Sequence, residues 1–231
     1  MTSIMRLLAI DTALEACAAA VLDTGGGVRA HETLIMTRGH AEALMPLVAR
    51  VMERAGVGFA ELDRIAVTTG PGSFTGLRVG ISAARGIGLA AARPVVGLTT
   101  LAAFAAPLIA ADDTRSVVAA VDARHDHVYL QVFGPGGRTL VAPRLATLRE
   151  AVLRACASGA PRLTGNAADL LAANWPAEER APAAVEQANA PDIDWVARLG
   201  AAADASGAPP KPLYLRAPDA QPQDAAQLPR R

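Results

Sequence analysis

At residues 70–80 the chain reads Gly-Pro-Gly-Ser-Phe-Thr-Gly-Leu-Arg-Val-Gly. The apolar run before it, 62–69, predicts a short buried strand, and the small residues of 76–92 predict a helix. A Gly/Ser/Thr loop between a strand and a helix N-terminus points backbone N–H groups outward, where an anion can bind. The loop has no lysine, so it is not a P-loop, in which Lys reaches the phosphates. The stretch therefore predicts the architecture of a phosphate site without the residues of phosphate chemistry.

The composition is that of a globular protein. Hydrophobic residues make up 52% and charged residues 19% of the 231 residues, enough for one large domain or two small ones. Lysine plus arginine and aspartate plus glutamate both number 22, so the net charge is zero. Proteins whose main affinity is for a nucleic-acid backbone carry a basic excess, and 3% aromatic residues leave few rings for stacking bases. The composition argues against that class of protein.

The cysteines and the apolar segments indicate a cytoplasmic setting. Cys17 and Cys156 have neither metal-ligand spacing nor a partner nearby in the sequence, which favours two reduced, buried thiols. Residues 1–11 lack the pattern of a signal peptide. Residues 89–111 are apolar, but internal proline and glycine residues break them into shorter elements. We therefore expect a cytoplasmic protein that makes no membrane contact.

The two halves of the chain repeat one pattern of elements. In the first half, strands at 7–10, 16–22 and about 28–36 precede a helix at 40–54, a strand at 64–69, the glycine loop with its helix, a strand at 95–98 and a helix at 99–110. In the second half, strands at 116–121, 127–133 and from 138 precede a helix at 145–156, a strand at 162–164, a helix opened by 165–166 and a helix at 192–203. An aspartate ends the first strand of each half, Asp11 and Asp122. This repetition predicts an α/β fold of two ribonuclease-H-like lobes, 1–112 and 113–216, followed by a disordered tail at 217–231.

Four motifs together resemble a known family. They are Ile10-Asp11-Thr12 with Glu15-Ala16-Cys17, Gly70–Arg78, Asp122-Ala123-Arg124 with Val128-Tyr129, and Pro212-Leu213-Tyr214-Leu215-Arg216. Over residues 5–216 the chain resembles the TsaB (YeaZ) family, with Ala13-Leu14 in place of the more usual Ser-Thr. The resemblance implies two lobes of the actin/Hsp70-like ATPase superfamily. It also implies a role in the bacterial pathway that makes N6-threonylcarbamoyladenosine beside the tRNA anticodon.

The related TsaD/Kae1 family contains the catalyst of threonylcarbamoyl transfer, whose His-x-Glu-Gly-His motif binds a metal. Alignment on Pro94–Thr99 puts Thr100 and Phe104 at the two histidines and Ala102 at the glutamate. Phe and Ala side chains have no electron pair to give to a metal, so this site cannot form here. The resemblance thus implies a pseudoenzyme without catalytic residues, metal or required cofactor, and ATP would belong to the wider complex.

A vestigial nucleotide site is one interpretation of the strand ends and the glycine loop. Its candidate residues are Asp11, Gly70, Gly72, Ser73, Thr75 and Asp122. The alternative is structural: the glycines allow a tight turn and close helix–sheet packing, and each carboxylate accepts N–H groups of its own turn. For the glycines we favour the structural interpretation, whereas for the two aspartates the two are balanced.

Other chemistry-bearing side chains favour ordinary roles. The four histidines are His31, His40, His125 and His127. The last two could share one face of an extended segment, but no third metal ligand lies nearby in the sequence, which favours a surface or turn role. Cys17 lies in an apolar pattern typical of an inert buried thiol, and Ser73 has no recognisable His/Asp relay.

Two helices are candidates for a partner interface. The residues expected there are His40, Leu44, Met45, Val48 and Met52 on the first helix, and the small-residue stripe Gly76, Gly80, Ala84 and Gly88 on the second. The alternative is that these faces pack on the chain's own sheet. The resemblance implies pairing through these helices with a TsaD-like catalytic subunit or with a second copy of the chain. A TsaE-like ATPase would join the complex, and tRNA would be reached only through it.

The residues leave three functions open. The first is a scaffold that stabilises and positions the TsaD-like catalyst. The second is an active nucleotide-dependent transferase of the same fold. The third is a serine or cysteine peptidase that acts on its partner.

Overall fold

A computed structural model describes residues 4–216, and the first half of this range forms a five-stranded sheet. Its strands are β1 (Arg6–Asp11), β2 (Ala16–Asp23), β3 (Gly27–Ile35), β4 (Arg64–Gly70) and β5 (Val95–Thr99). Their order is β3-β2-β1-β4-β5; the first three are antiparallel neighbours, and β4 and β5 continue the sheet in parallel. The helices of this half are α1 (His40–Ala55), α2 (Phe74–Ala91) and α3 (Thr100–Ala111).

The second half repeats this topology strand for strand. Its strands are β6 (Val117–Asp122), β7 (His127–Phe133), β8 (Thr139–Thr147), β9 (Arg162–Gly165) and β10 (Ala184–Gln187), in the order β10-β9-β6-β7-β8. Its helices are α4 (Leu148–Cys156), α5 (Ala168–Ala173) and α6 (Ile193–Ala202). The pairing directions match those of the first sheet. The predicted fold class is confirmed: the chain is an α/β protein of two lobes with the ribonuclease-H-like topology.

The side chains of β1 point alternately to the two faces of the first sheet, and both faces are buried. Leu8 and Ile10 belong to the core beneath α1 and α2, whereas Leu7 and Ala9 point to the opposite face. Helix α6 covers that opposite face. Because successive residues of a strand point to opposite faces, a strand buried on both sides is apolar along its middle, as residues 7–10 of β1 are.

Helix α3 packs against both lobes, whereas α6 packs on the first lobe. Leu101, Phe104 and Leu108 of α3 pack against the second sheet, whereas Ala103 packs in the core of the first. Helix α6 follows the second sheet in the chain but packs on the first, so closely that a Cβ on Gly200 would lie 2.3 Å from the Ala66 Cβ. The division expected between 112 and 113 separates the two sheets, but the first lobe is completed by the later helix α6.

Two local features differ from the sequence prediction. Strand β8 continues to Thr147 and α4 begins at Leu148, because Thr147 and Glu150 form a reciprocal capping box that fixes the helix start. Strand β10 is a four-residue strand that the sequence pattern does not predict, because its surroundings are rich in Ala and Pro. The expected tail at 217–231 lies outside the described residues. Between residues 4 and 216 no helix has the length and apolar character needed to cross a bilayer.

Candidate functional site

The glycine loop lies where β4 ends and α2 begins. Ser73 is the N-cap of α2, and its Oγ accepts a 3.3 Å hydrogen bond from the Gly76 N–H. The Ser73 N–H donates to the Ala13 carbonyl at 2.7 Å, which joins the loop to the β1–β2 turn. The serine hydroxyl therefore has a capping role, and no histidine in the described range 4–216 hydrogen-bonds to it. Thr75, one position into the first turn of the helix, is exposed.

The glycines of the loop allow two backbones to touch. A Cβ atom on Gly72 would lie 2.2 Å from the Ala13 carbonyl oxygen, and one on Gly76 would lie 2.1 Å from the Thr12 carbonyl oxygen. Gly70 has φ of +114°, a conformation that side chains rarely adopt. Close packing and turn geometry thus account for these three glycines without a ligand.

Asp11 is a fully buried carboxyl group at the end of β1. Its Oδ1 accepts hydrogen bonds from the Thr68 hydroxyl at 2.5 Å and the Ala13 N–H at 3.1 Å. Its Oδ2 is buried without a hydrogen-bond partner. Burial raises the pKa of Asp11 above its ordinary value, and the two hydrogen bonds oppose this only in part.

Asp122 occupies the corresponding position in the second lobe but is exposed. Its Oδ1 accepts a 2.8 Å hydrogen bond from the Arg124 N–H, and its own N–H donates to the Asn166 side chain at 2.8 Å. The carboxylate closes a turn in which Arg124, His125 and Asp126 all have positive φ. The two aspartates are thus equivalent in topology but differ in surroundings.

The histidines lie apart from one another, except for one neighbouring pair. His31 pairs with Asp194 at 2.7 Å, and His40 contacts the Leu14 carbonyl at 3.1 Å. His127 donates through Nδ1 to the His125 carbonyl at 2.6 Å. Within residues 4–216, no three His, Cys, Asp or Glu side chains are grouped so as to hold a metal ion.

Cys17 is fully buried in the first sheet. Burial raises the pKa of its thiol to about 11. A thiol with this pKa stays protonated at neutral pH and is a poor nucleophile. The thiol is therefore unsuited to a peptidase mechanism.

The small-residue stripe of α2 faces the interior, which corrects its assignment to a partner interface. A Cβ on Gly80 would lie 2.4 Å from the Thr12 Oγ1, and one on Gly88 would lie 2.4 Å from a methyl group of Val95. Gly76 contacts Thr12 in the same way, and Ala84 is fully buried in the same core. The spacing identified a shared face, but the chain's own sheet covers it.

Four of the five α1 residues are also interior. Leu44, Val48 and Met52 belong to the core between α1 and the first sheet, and His40 is buried at the helix start. Their burial removes these four from the open surface. Met45 differs, because 47% of its surface is exposed.

An open groove lies between α1 and α2 on the side away from the sheet. We call it the α1–α2 groove; it has a volume of about 850 Å³. Its lining residues are Met45, Phe59, Ala60, Ala83, Gly86, Ile87, Ala90, Ala91 and Arg93. The sequence analysis identified the two helices and Met45 as candidates, but none of the other residues that line the groove. The helical spacing of Ala83, Gly86 and Ala90 would have indicated this second face of α2.

Two ribonuclease-H-like lobes of the same topology, with a glycine loop held against the β1–β2 turn, define the class of protein to which the chain belongs. The family model described as TsaD, tRNA N6-adenosine threonylcarbamoyltransferase, matches residues 14–174. A crystal structure described as an uncharacterized protein with similarity to peptidase YEAZ from Pseudomonas aeruginosa superimposes with a TM-score of 0.79. It has 31% sequence identity and covers 92% of this chain and 100% of that one. The chain belongs to the TsaB (YeaZ) family.

Two curated relatives are named tRNA threonylcarbamoyladenosine biosynthesis protein TsaB. The Escherichia coli (strain K12) protein is 40% identical over 125 residues, which are 54% of this chain and 53% of that protein. The Haemophilus influenzae protein is 37% identical over 125 residues, 54% of this chain and 52% of that protein. In these matches the chain spans about half the length of the relatives.

Proposed function

We propose that this chain is a non-catalytic scaffold subunit in the synthesis of N6-threonylcarbamoyladenosine on tRNA. It pairs with a TsaD-like catalytic subunit through the α1–α2 groove and stabilises that subunit in its active arrangement. The observation that carries the proposal is the groove itself, an open apolar surface formed by the two helices implicated by the family resemblance. The names of the TsaB relatives support the assignment to this pathway.

The chemistry of the groove suits a protein partner. Its lining is apolar except for Arg93, and it includes the half-exposed side chain of Met45. Contiguous exposed apolar surface is typical of protein–protein interaction sites, and flexible Met side chains adapt to a partner. A second copy of the chain would compete with the catalytic subunit for the same surface.

The glycine loop supports a non-catalytic role. Its glycines serve the close packing of the β1–β2 turn on α2. Thr100 and Phe104, which align with the metal-binding histidines of the catalytic family, are both buried side chains of α3. Phe104 lies in the apolar core between the two lobes. In this proposal, ATP is consumed by other subunits of the complex, including a TsaE-like ATPase, and the complex works in the cytoplasm.

The test is reconstitution with the TsaD-like protein of the same organism. The chain is co-purified with that protein, and threonylcarbamoylation of tRNA is measured with and without the chain. We expect a stable complex, modification that depends on the chain, and no turnover by the chain alone. Modification at full rate without the chain would refute the scaffold role. Transfer or ATP turnover by the chain alone would establish an active transferase instead.

A further inference from the structure

The segment 203–216 crosses the end of the first sheet and leads toward the second lobe. Pro210 packs against Gly97 of β5, and the Leu213 N–H donates to the Thr69 carbonyl at 2.8 Å. Farther along, the Arg216 guanidinium donates to the Ala123 carbonyl at 3.2 Å. These contacts fix the segment beside the glycine loop, so that residues 136 positions apart in the chain meet at the surface.

Three of those residues form a stacked surface, which we call the aromatic platform: Phe74, Arg78 and Tyr214. The Phe74 and Tyr214 rings stack with centroids 5.5 Å apart and an interplanar angle of 29°. The Arg78 guanidinium lies 3.6 Å from the centroid of the Phe74 ring, and its Nε donates to the Tyr214 hydroxyl at 3.1 Å. Half of the Phe74 side chain and 46% of Tyr214 are exposed. A rigid pair of rings is thus presented to solvent, although the chain has few aromatic residues.

The charge around the platform differs from that of the whole chain. Residues 70–80 and 203–216, which build it, contain Arg78, Lys211 and Arg216 and one acidic residue, Asp204, whose carboxylate accepts hydrogen bonds from Ser206. The chain as a whole is neutral. Arg78 uses only Nε in its hydrogen bond; its two terminal nitrogens have no hydrogen-bond partner within the described range, 4–216. The platform therefore offers stacking faces and an ordered cation at one place.

We propose that the aromatic platform binds single-stranded RNA, with an unpaired base stacked on Tyr214 and a phosphate paired with Arg78. Aromatic side chains and arginine planes are the common recognition elements for unstacked RNA bases. A site for a free small ligand buries most of that ligand in a concave pocket, whereas a half-exposed platform suits one base of a longer strand. The inference rests on the proposed function, because the relatives' names supply tRNA as the RNA in question.

The test measures binding of a fluorescein-labelled tRNA to the complex of the full chain with its TsaD-like partner, and to the chain alone. Tyr214→Ala is expected to weaken binding about 5-fold or more, since one stacked base contributes that much. Tyr214→Phe keeps the ring and is expected to bind like the wild type. Arg78→Gln is expected to lower the slope of log affinity against log salt concentration by about 0.7, the value for one phosphate contact to a single strand. The matched control is Arg85→Gln, an exposed arginine on the same helix that lies outside the platform.

Lys211 provides a second readout because it is the only lysine in the sequence. Acetylation by an amine-reactive probe, followed by mass spectrometry of the peptide, reports its exposure without interference from other lysines. We expect tRNA to protect Lys211 and a fully base-paired RNA hairpin of similar length to protect it less. Equal protection by the hairpin would overturn the single-strand assignment. Displacement of tRNA by AMP at similar concentrations would establish a mononucleotide site instead.

Gel filtration of each variant with the partner separates the two proposals. If Tyr214→Ala and Arg78→Gln lose the partner, the platform is a protein contact and the RNA assignment is wrong. If the wild-type chain forms no complex, the scaffold proposal fails, and the titration of the chain alone still decides the RNA assignment. If all variants bind tRNA with the affinity of the wild type, the RNA assignment is also wrong.

Discussion

Gly76 of α2 lies directly against Thr12 of the β1–β2 turn. A Cβ atom on Gly76 would lie 2.1 Å from the Thr12 carbonyl oxygen, and the Thr12 hydroxyl donates a 2.7 Å hydrogen bond to the Gly76 carbonyl. The contact and the hydrogen bond join the turn that carries Asp11 to the helix that follows the glycine loop. The geometry of the loop therefore depends on the absence of a single methyl group.

Gly76→Ala is expected to lower the free energy of unfolding by about 1–3 kcal/mol, because the added carbon forces two backbones apart. Gly86→Ala is the matched control on the same helix, since its Cβ would meet nothing within 4 Å. That control is expected to raise the stability by up to about 1 kcal/mol through helix propensity. Urea unfolding followed by circular dichroism measures both. Equal stabilities for the two variants would contradict the packing described here.

Arg162 holds the end of α3 to the second sheet. Its Nη1 donates to the Leu108 carbonyl at 2.6 Å and its Nη2 to the Asp112 carbonyl, and the side chain is buried. Arg162→Met removes both hydrogen bonds at a helix C-terminus and is expected to cost about 1.5–3 kcal/mol.

The matched control for Arg162 is Arg115→Met. Arg115 is half-exposed and pairs with the Asp112 side chain at 3.4 Å, a surface contact whose loss is expected to cost at most about 1 kcal/mol. Thermal and urea unfolding give the comparison. A smaller loss at Arg162 than at Arg115 would show that α3 is held by its apolar contacts alone.

The raised pKa of Asp11 predicts that the stability of the chain depends on pH in the opposite direction from that expected for a salt-bridged carboxylate. Because its pKa is raised on folding, the folded chain binds the proton more tightly than the unfolded chain. Its contribution to stability is therefore present at low pH and is lost as pH rises from the ordinary aspartate value, about 3.9, through the raised folded value.

Asp11→Asn removes this titration and keeps an oxygen that can accept from Thr68 and Ala13. The difference in unfolding free energy, variant minus wild type, is expected to increase as pH rises through that window. Urea unfolding from pH 4 upward measures it. A difference that is independent of pH would show that the Asp11 pKa is the same in both states.

Met45→Glu is expected to weaken the complex with the TsaD-like partner about 10-fold or more, because it places a charge in the apolar α1–α2 groove. Leu153→Glu is the matched control: Leu153 is an exposed apolar residue of α4, 56% accessible, and lies on the other lobe. Gel filtration and isothermal calorimetry measure the complex, and circular dichroism confirms folding. Equal affinity of both variants would locate the interface elsewhere. Gly80 and Ala84 are unsuitable for this test because both are interior.

Most helices and strands could be predicted from the sequence because they follow from patterns among neighbouring residues. The strand alternation and helical spacing predicted nearly all elements, including the helix at 192–203, whose start is fixed by the Asp192 Oδ1 accepting from the Asp194 N–H at 2.9 Å. The orientation of the α2 stripe could not be predicted in this way, because periodicity shows which residues share a face and not what covers it. The platform pairs Phe74 with Tyr214, a contact over a long sequence separation. The position of α6 on the first sheet depends on contacts of the same long range.

Because α6 packs on the first sheet, the first lobe is incomplete while the ribosome is still synthesising the second half of the chain. The apolar face formed by Leu7, Ala9 and Ala66 is covered by Ile193, Val196 and Ala197, which are synthesised more than 120 residues after Ala66. One side of the first sheet therefore stays uncovered in the nascent chain until α6, Ile193–Ala202, has emerged from the exit tunnel. Truncation anywhere before α6 would leave that side permanently open to chaperones and to aggregation.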